Sequence, residues 1–151
     1  MKRLIATTAA LILLLAAVPT AADAAEQVDP QVAYALDAVP GGEVVDARTA
    51  YWPELGMTLT VPDLRLRDAI GTCPNGSVCA YKGTNLTSTR LSWTTCTTHS
   101  TTALGAPARS IADARSTGYL QARNGTTVVA TAVAQSWNNV GVANDNVRCV
   151  L

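Results

Sequence analysis

Cys73, Cys79, Cys96 and Cys149 are the side chains with most capacity for chemistry in this sequence. They could act as nucleophiles, as thiolate ligands or as two disulfides. A four-thiolate zinc site uses close pairs such as Cys-x-x-Cys hooks, and these spacings are wide and irregular. An even cysteine set in a short exported chain points instead to disulfides, and oxidised sulfur is no nucleophile. His99, the single histidine, stands in a Thr-rich stretch with no acid beside it, so the many hydroxyls lack a base. Asp113 and Asp145 could pair only through tertiary folding. The expectation is a protein that is not an enzyme, with no metal site and no cofactor.

Export is read from the first residues. Lys2 and Arg3 precede an apolar run, Leu4 to Val18, which Pro19 breaks before the small residues Ala22 and Ala24. This is a signal peptide over residues 1–24, with cleavage after Ala24 or, as the alternative, Ala22. The run is short of the ~20 residues that span a bilayer. A secreted, extracellular protein without a membrane span is expected.

Beyond the signal, charge divides the chain. Glu26 to Asp68 holds eight acids and three bases, whereas Ala69 to Leu151 holds two acids and six bases. An acidic leader, residues 25–68, therefore precedes a basic body, residues 69–151. The bases are scattered with few aromatics between them, which argues against nucleic acid as partner.

The leader opens with a helical spacing of Val28, Val32, Ala35, Leu36 and Val39, stopped by Pro40-Gly41-Gly42. Glu43 to Val61 then alternates around Pro53-Glu54-Leu55-Gly56 and predicts one hairpin with a buried face. Some forty residues without cysteine cannot bury a core alone. The leader must dock on the body, act as a pro-segment or stay partly mobile. The body reads as all-β: Val78, Leu86, Leu91, Ile111, Leu120, Val128, Val129 and Val133 fall in short runs, and no helical period lasts beyond Asp113 to Thr117. Trp93, Trp137 and Tyr81 are expected in its core. Ser92-Trp93 recurs as Ser136-Trp137, and Ala108-Arg109-Ser110-Ile111 as Val147-Arg148-Cys149-Val150. Two units of about forty residues, each the size of a four-stranded Greek key, follow from that repetition.

Cys73-Pro74-Asn75-Gly76-Ser77-Val78-Cys79-Ala80-Tyr81, with the Gly/Asn-rich turn after it, resembles the opening of a bacterial secreted metalloproteinase-inhibitor family with a βγ-crystallin-like fold. Pro107 to Asp113 is similar to that family's Ala-Arg-Ser step, and Tyr119 to Gly125 to the first strand and turn of its second half. The resemblance implies a βγ-crystallin-like double Greek-key sandwich, here preceded by a short helix and a hairpin. Three cysteine pairings are open on paper. Pro74 and Asn75-Gly76 favour a tight loop closed by Cys73–Cys79, which pairs Cys96 with Cys149.

Function follows as an expectation: a secreted peptidase-inhibitor-like protein that grips an extracellular protease through an exposed loop. The family's reactive segment, strapped by its own cysteine pair, has no counterpart in Thr126 to Gln135. The loop a disulfide would pin is Thr94 to Leu104, which makes Cys96, His99 and Leu104 the candidate inhibitory residues. The fold often carries calcium, and Asn144-Asp145 begins such a motif correctly, but Arg148 and Cys149 stand where hydroxyl ligands belong. A structural turn is expected there. The alternative function is a structural or cell-surface, carbohydrate-binding βγ-crystallin-like module without inhibitory activity. A third reading has the acidic leader covering an inhibitory body until it is removed.

Overall fold

A computed structural model describes residues 27–63 and 73–151. The expected signal peptide and the end of the charged connector after Asp63 lie outside these residues. Asp29 caps the first helix, α1 (Pro30–Ala38), by accepting the Gln31 N–H at 2.8 Å, and Pro30 supplies the fixed φ of a first helical residue. The helix therefore starts later than the apolar spacing alone suggests. It turns Val32 and Ala35 into the core.

Three antiparallel strands follow, β1 (Glu43–Asp46), β2 (Thr49–Trp52) and β3 (Met57–Thr60). The single hairpin expected over Glu43 to Val61 is thus a meander with two turns. Asp46 creates the extra one, because its carboxylate accepts the Arg48 N–H at 2.7 Å. Alternation holds where expected: Ala50, Trp52, Met57 and Leu59 are buried, and their neighbours are not. Trp52 ties the meander to the helix by donating its indole N–H to the Val39 carbonyl at 2.7 Å. Gly42 permits this, since a Cβ there would stand 2.3 Å from the indole ring.

Eight more strands complete the body: β4 (Val78–Tyr81), β5 (Arg90–Trp93), β6 (Thr98–Ser100), β7 (Ser110–Asp113), β8 (Tyr119–Asn124), β9 (Thr127–Val133), β10 (Ser136–Asn139) and β11 (Asn146–Val150). They make two antiparallel sheets, ordered β1-β2-β3-β5-β4-β7-β10 and β6-β11-β8-β9. The all-β class expected of the body holds. The faint helical period at Asp113 to Thr117 does not form a helix: Asp113 ends β7, and its carboxylate accepts the Arg115 N–H at 3.0 Å to start a turn.

From β4 onward the strands fall into two runs of four. Each run places its first, second and fourth strands in one sheet and its third strand in the other, so β6 and β10 are exchanged. Backbone hydrogen bonds repeat between the runs. The Arg109 N–H donates to Tyr81 and the Arg109 carbonyl accepts from Val140; likewise the Asp145 N–H donates to Arg123 and its carbonyl accepts from Thr101. Arg109 therefore corresponds to Asp145, and the sequence match of Arg109 with Arg148 is three residues out of register. Ser92-Trp93 ends the second strand of one run, and Ser136-Trp137 opens the third strand of the other. That repeat is not a structural equivalence.

One core joins the whole. Val32 and Ala35 of α1, Trp52, Met57 and Leu59 of the meander, and Leu91, Trp93, Ile111, Leu120 and Val147 of the body form a single buried cluster. The leader is docked, and β3 continues the sheet by pairing with β5 from Met57↔Trp93 to Thr60↔Arg90. A smaller cluster of Cys79, Tyr81, Leu86 and Ala112 lies on the opposite face of the larger sheet. Among the described residues no helix is long and apolar enough to cross a membrane.

Candidate functional site

Two disulfides frame the body. Cys73 is joined to Cys79, with Cα atoms 5.8 Å apart, and Cys96 to Cys149, with Cα atoms 4.9 Å apart. The first closes a tight loop, with a sequence separation of 6, on the outer face of the larger sheet. The second ties the segment between β5 and β6 to β11. These are the pairs the sequence reading favoured.

The segment held by Cys96 is not a free loop. Residues Thr98–Ser100 form β6 and pair with β11. Leu104 is fully buried in the shared core, and Cys96 packs against that core. His99 is buried too, its ring stacked on Trp93 at a centroid distance of 4.9 Å, and its Nε2–H donates to the Thr95 carbonyl at 2.9 Å. Burial lowers its pKa, and the bond to Thr95 opposes this only in part. The expectation that Cys96, His99 and Leu104 present an inhibitory surface is corrected on this point: their side chains hold the sandwich together. The physical reason is that the third strand of the run needs an inward side chain, and His99 fills that place.

The Asn144–Asp145 turn is likewise occupied by the backbone. Asn144 accepts the Ala108 N–H at 3.0 Å and donates to the Ala108 carbonyl at 2.8 Å. Asp145 Oδ1 accepts the Gly125 N–H at 3.0 Å. The Asn144 amide thus cross-links the two runs, and Asp145 fastens the β8–β9 turn of its own run.

Exposed apolar side chains direct attention elsewhere. Tyr81 and Trp93 are buried as expected, but Trp137 is 46 % exposed. It stands on edge strand β10 opposite Ala112, where no further strand covers it. Val133, at the end of β9, is 60 % exposed. Between them the chain crosses from one sheet to the other through Ala134 and Gln135, the latter at φ +59°. This corner is held firmly. Gln135 Nε2 donates to the carbonyls of Ala114 and Arg115 at 3.0 and 2.8 Å, the Ala134 N–H donates to Gly118 at 3.0 Å, and Asn138 Nδ2 donates to Thr131 at 3.2 Å. Val133 shares a face with Tyr119 and points away from the smaller sheet; Trp137 shares a face with Ala112 and points away from the larger one. The result is a hydrogen-bonded corner with one exposed apolar side chain on either side of the crossing between sheets.

Sequence reasoning missed this corner. Ala134-Gln135 carries no Gly, Asn or Pro to mark a turn, and Trp137 reads as core until its strand is known to be an edge. Val44 and Val45 are exposed as well, on β1, but that strand is an irregular edge flanked by Glu43 and Asp46, as solvent-facing edges are protected. Among the described residues no three His, Cys, Asp or Glu side chains are grouped as metal ligands. Compared with known proteins, the chain matches no family model, no curated protein and no solved structure.

Proposed function

We propose that the protein is an exported, βγ-crystallin-like binding protein of the peptidase-inhibitor kind, which inserts the Val133–Trp137 corner into the cleft of an extracellular protease. The fold reading is supported by the exchange of β6 and β10 between two four-strand runs, the arrangement expected of paired Greek keys. Two disulfides and no free cysteine suit an oxidising compartment.

The observation that carries the inhibitory reading is the corner's order. A segment that is already fixed before binding loses little conformational entropy on contact, and this converts contact area into affinity. Exposed Trp137 supplies the anchor, a residue class that dominates interfaces when desolvated in a pocket, and Val133 adds apolar area beside it.

Titration against thermolysin-type and serine proteases tests the reading. Slowed hydrolysis is expected from one class, and Trp137→Ala is expected to weaken it by about 2 kcal/mol, some thirtyfold. Thr98→Ala, on β6 in the segment tied by Cys96, should leave inhibition unchanged. No slowing by micromolar protein in either class would remove the inhibitory function.

A further inference from the structure

We infer that the open face of the smaller sheet, with the cleft at its end, docks an acidic polysaccharide through Arg123, Arg148 and Tyr34. Inward positions of this sheet are Leu120, Ala122, Ala132, Val147 and Cys149, all in the core. The alternate positions face away from it. One row across the four strands reads Thr98, Arg148, Gln121, Thr131, and the next reads Ser100, Asn146, Arg123, Val128. Arg148 stands opposite Gln121, two residues from Arg123, so the two guanidinium-bearing backbones are diagonal neighbours about 7–8 Å apart.

Two like charges on adjacent strands repel, and neither arginine has an ion-pair partner among the described residues. Arg123 is steadied by a fork onto Gln121 Oε1, with Nε at 3.1 Å and Nη2 at 2.5 Å, which leaves Nη1 for a ligand. The Arg148 side chain is exposed and makes no hydrogen bond to a described residue. A fixed arginine fork matches a carboxylate geometrically. The one acid beside these rows is Asp145, whose Oδ1 already serves the Gly125 N–H and Asn146 Nδ2.

The occupant follows from what surrounds the arginines. Hydroxyls and amides fill the remaining places of these two rows, where Val128 is the single apolar side chain. The other apolar side chains of this face, Val150, Tyr119 and Val133, lie in the row beyond Arg148 at the corner end, so a protein anchor is confined to that end. The two rows carry no aromatic side chain, and the single exposed ring of Tyr34 beside them falls short of the successive stacking platforms that single-stranded nucleic acid uses. At the end of these rows a cleft of about 240 Å³ is lined by Tyr34, Thr101, Thr102, Gly105, Asn144 and Asp145. Tyr34 is 45 % exposed and rests on Gly105, where a Cβ would stand 2.9 Å from its ring. An aromatic face above hydroxyl and carboxylate acceptors, in a space of one-ring size, suits a pyranose. Acid groups along the same chain would then reach the arginines.

Affinity electrophoresis of the full chain in gels containing polygalacturonate is the test, with neutral dextran and single-stranded DNA as comparison polymers. Retardation by polygalacturonate is expected at low salt and should vanish near 0.5 M, where charges are screened beyond about 4 Å. Dextran should retard little and DNA less than polygalacturonate. Arg123→Gln with Arg148→Gln should weaken binding at least about tenfold, the scale of one charge-assisted contact, whereas Arg148→Lys alone should retain most of it. Tyr34→Ala should weaken binding several-fold without changing the salt dependence. Unchanged near-UV circular dichroism establishes that each variant is folded, and since none of these residues lies in the 133–137 corner, protease titration should be unaffected. No retardation, equal retardation by DNA, or a double variant that binds like the parent protein would each overturn the inference.

Discussion

His99 illustrates how one residue can read as chemistry and serve as structure. Its ring is packed flat on Trp93 and out of water, so the neutral form is the one that fits. Burial holds its folded pKa below the usual 6.5. Between the two values the unfolded chain binds more protons, so stability rises with pH through that window. Its contribution is present above about pH 6.5 and is lost as pH falls toward the folded value. Urea unfolding between pH 5 and 7.5 should show this loss, and His99→Phe, which keeps the stack without the titration, should flatten it. Tyr81 behaves in the opposite sense at alkaline pH. Burial raises its pKa to about 12 against the opposing pull of Arg90, so its contribution holds below pH 10 and fades as pH rises through about 12. The cysteines are graded by loop length. Replacing Cys73 and Cys79 by Ser should cost about 2 kcal/mol, and replacing Cys96 and Cys149 about 4 kcal/mol, by the chain-entropy argument. Chemical denaturation of each double variant measures the difference. Equal losses would locate the stabilisation in native contacts instead.

At the scale of elements, the meander changes the meaning of the leader. Its strand β3 covers the edge of β5, and its side chains Met57 and Leu59 complete the packing around Leu91 and Trp93. Leu59→Ala should therefore destabilise the whole fold by about 2–5 kcal/mol, as cavity-forming core substitutions do. A chain trimmed to begin at Cys73 would uncover β5 and expose Trp93, and it is expected to lose the cooperative unfolding transition seen by circular dichroism. Retention of that transition, with stronger inhibition, would favour a removable covering segment. The cap of α1 is a smaller matter: Asp29→Ala should cost about 1 kcal/mol. The hairpin pattern was legible because alternation in Met57 to Thr60 reports a half-buried strand. The additional strand was not, since β1 is exposed at every position and so carries no pattern to read.

For the whole molecule, one cluster spans the helix, the meander and both sheets, so residues 27–63 and 73–151 should melt as a unit, with calorimetric and van't Hoff enthalpies equal. Two separate transitions would contradict a shared core. What the sequence determined by itself was local or compositional. Cysteine count and spacing led to the two bridges, Asn75-Gly76 to the tight loop, and the scarcity of helical periods to an all-β body. Each of these depends on neighbouring residues or on chain length, and such information survives in one dimension. Only the tertiary structure decided which strand is an edge, which sheet the third strand of each run joins, and which face remains open. Those outcomes come from packing against residues far away in the chain. Thus Trp137 is exposed because nothing pairs beyond β10, and Leu104 is buried because α1 and the sheets close over it. The arginines share a face because β8 and β11 pair in one register. None of these contacts is encoded within a window around the residue itself; each arises when distant segments compete to remove apolar surface from water.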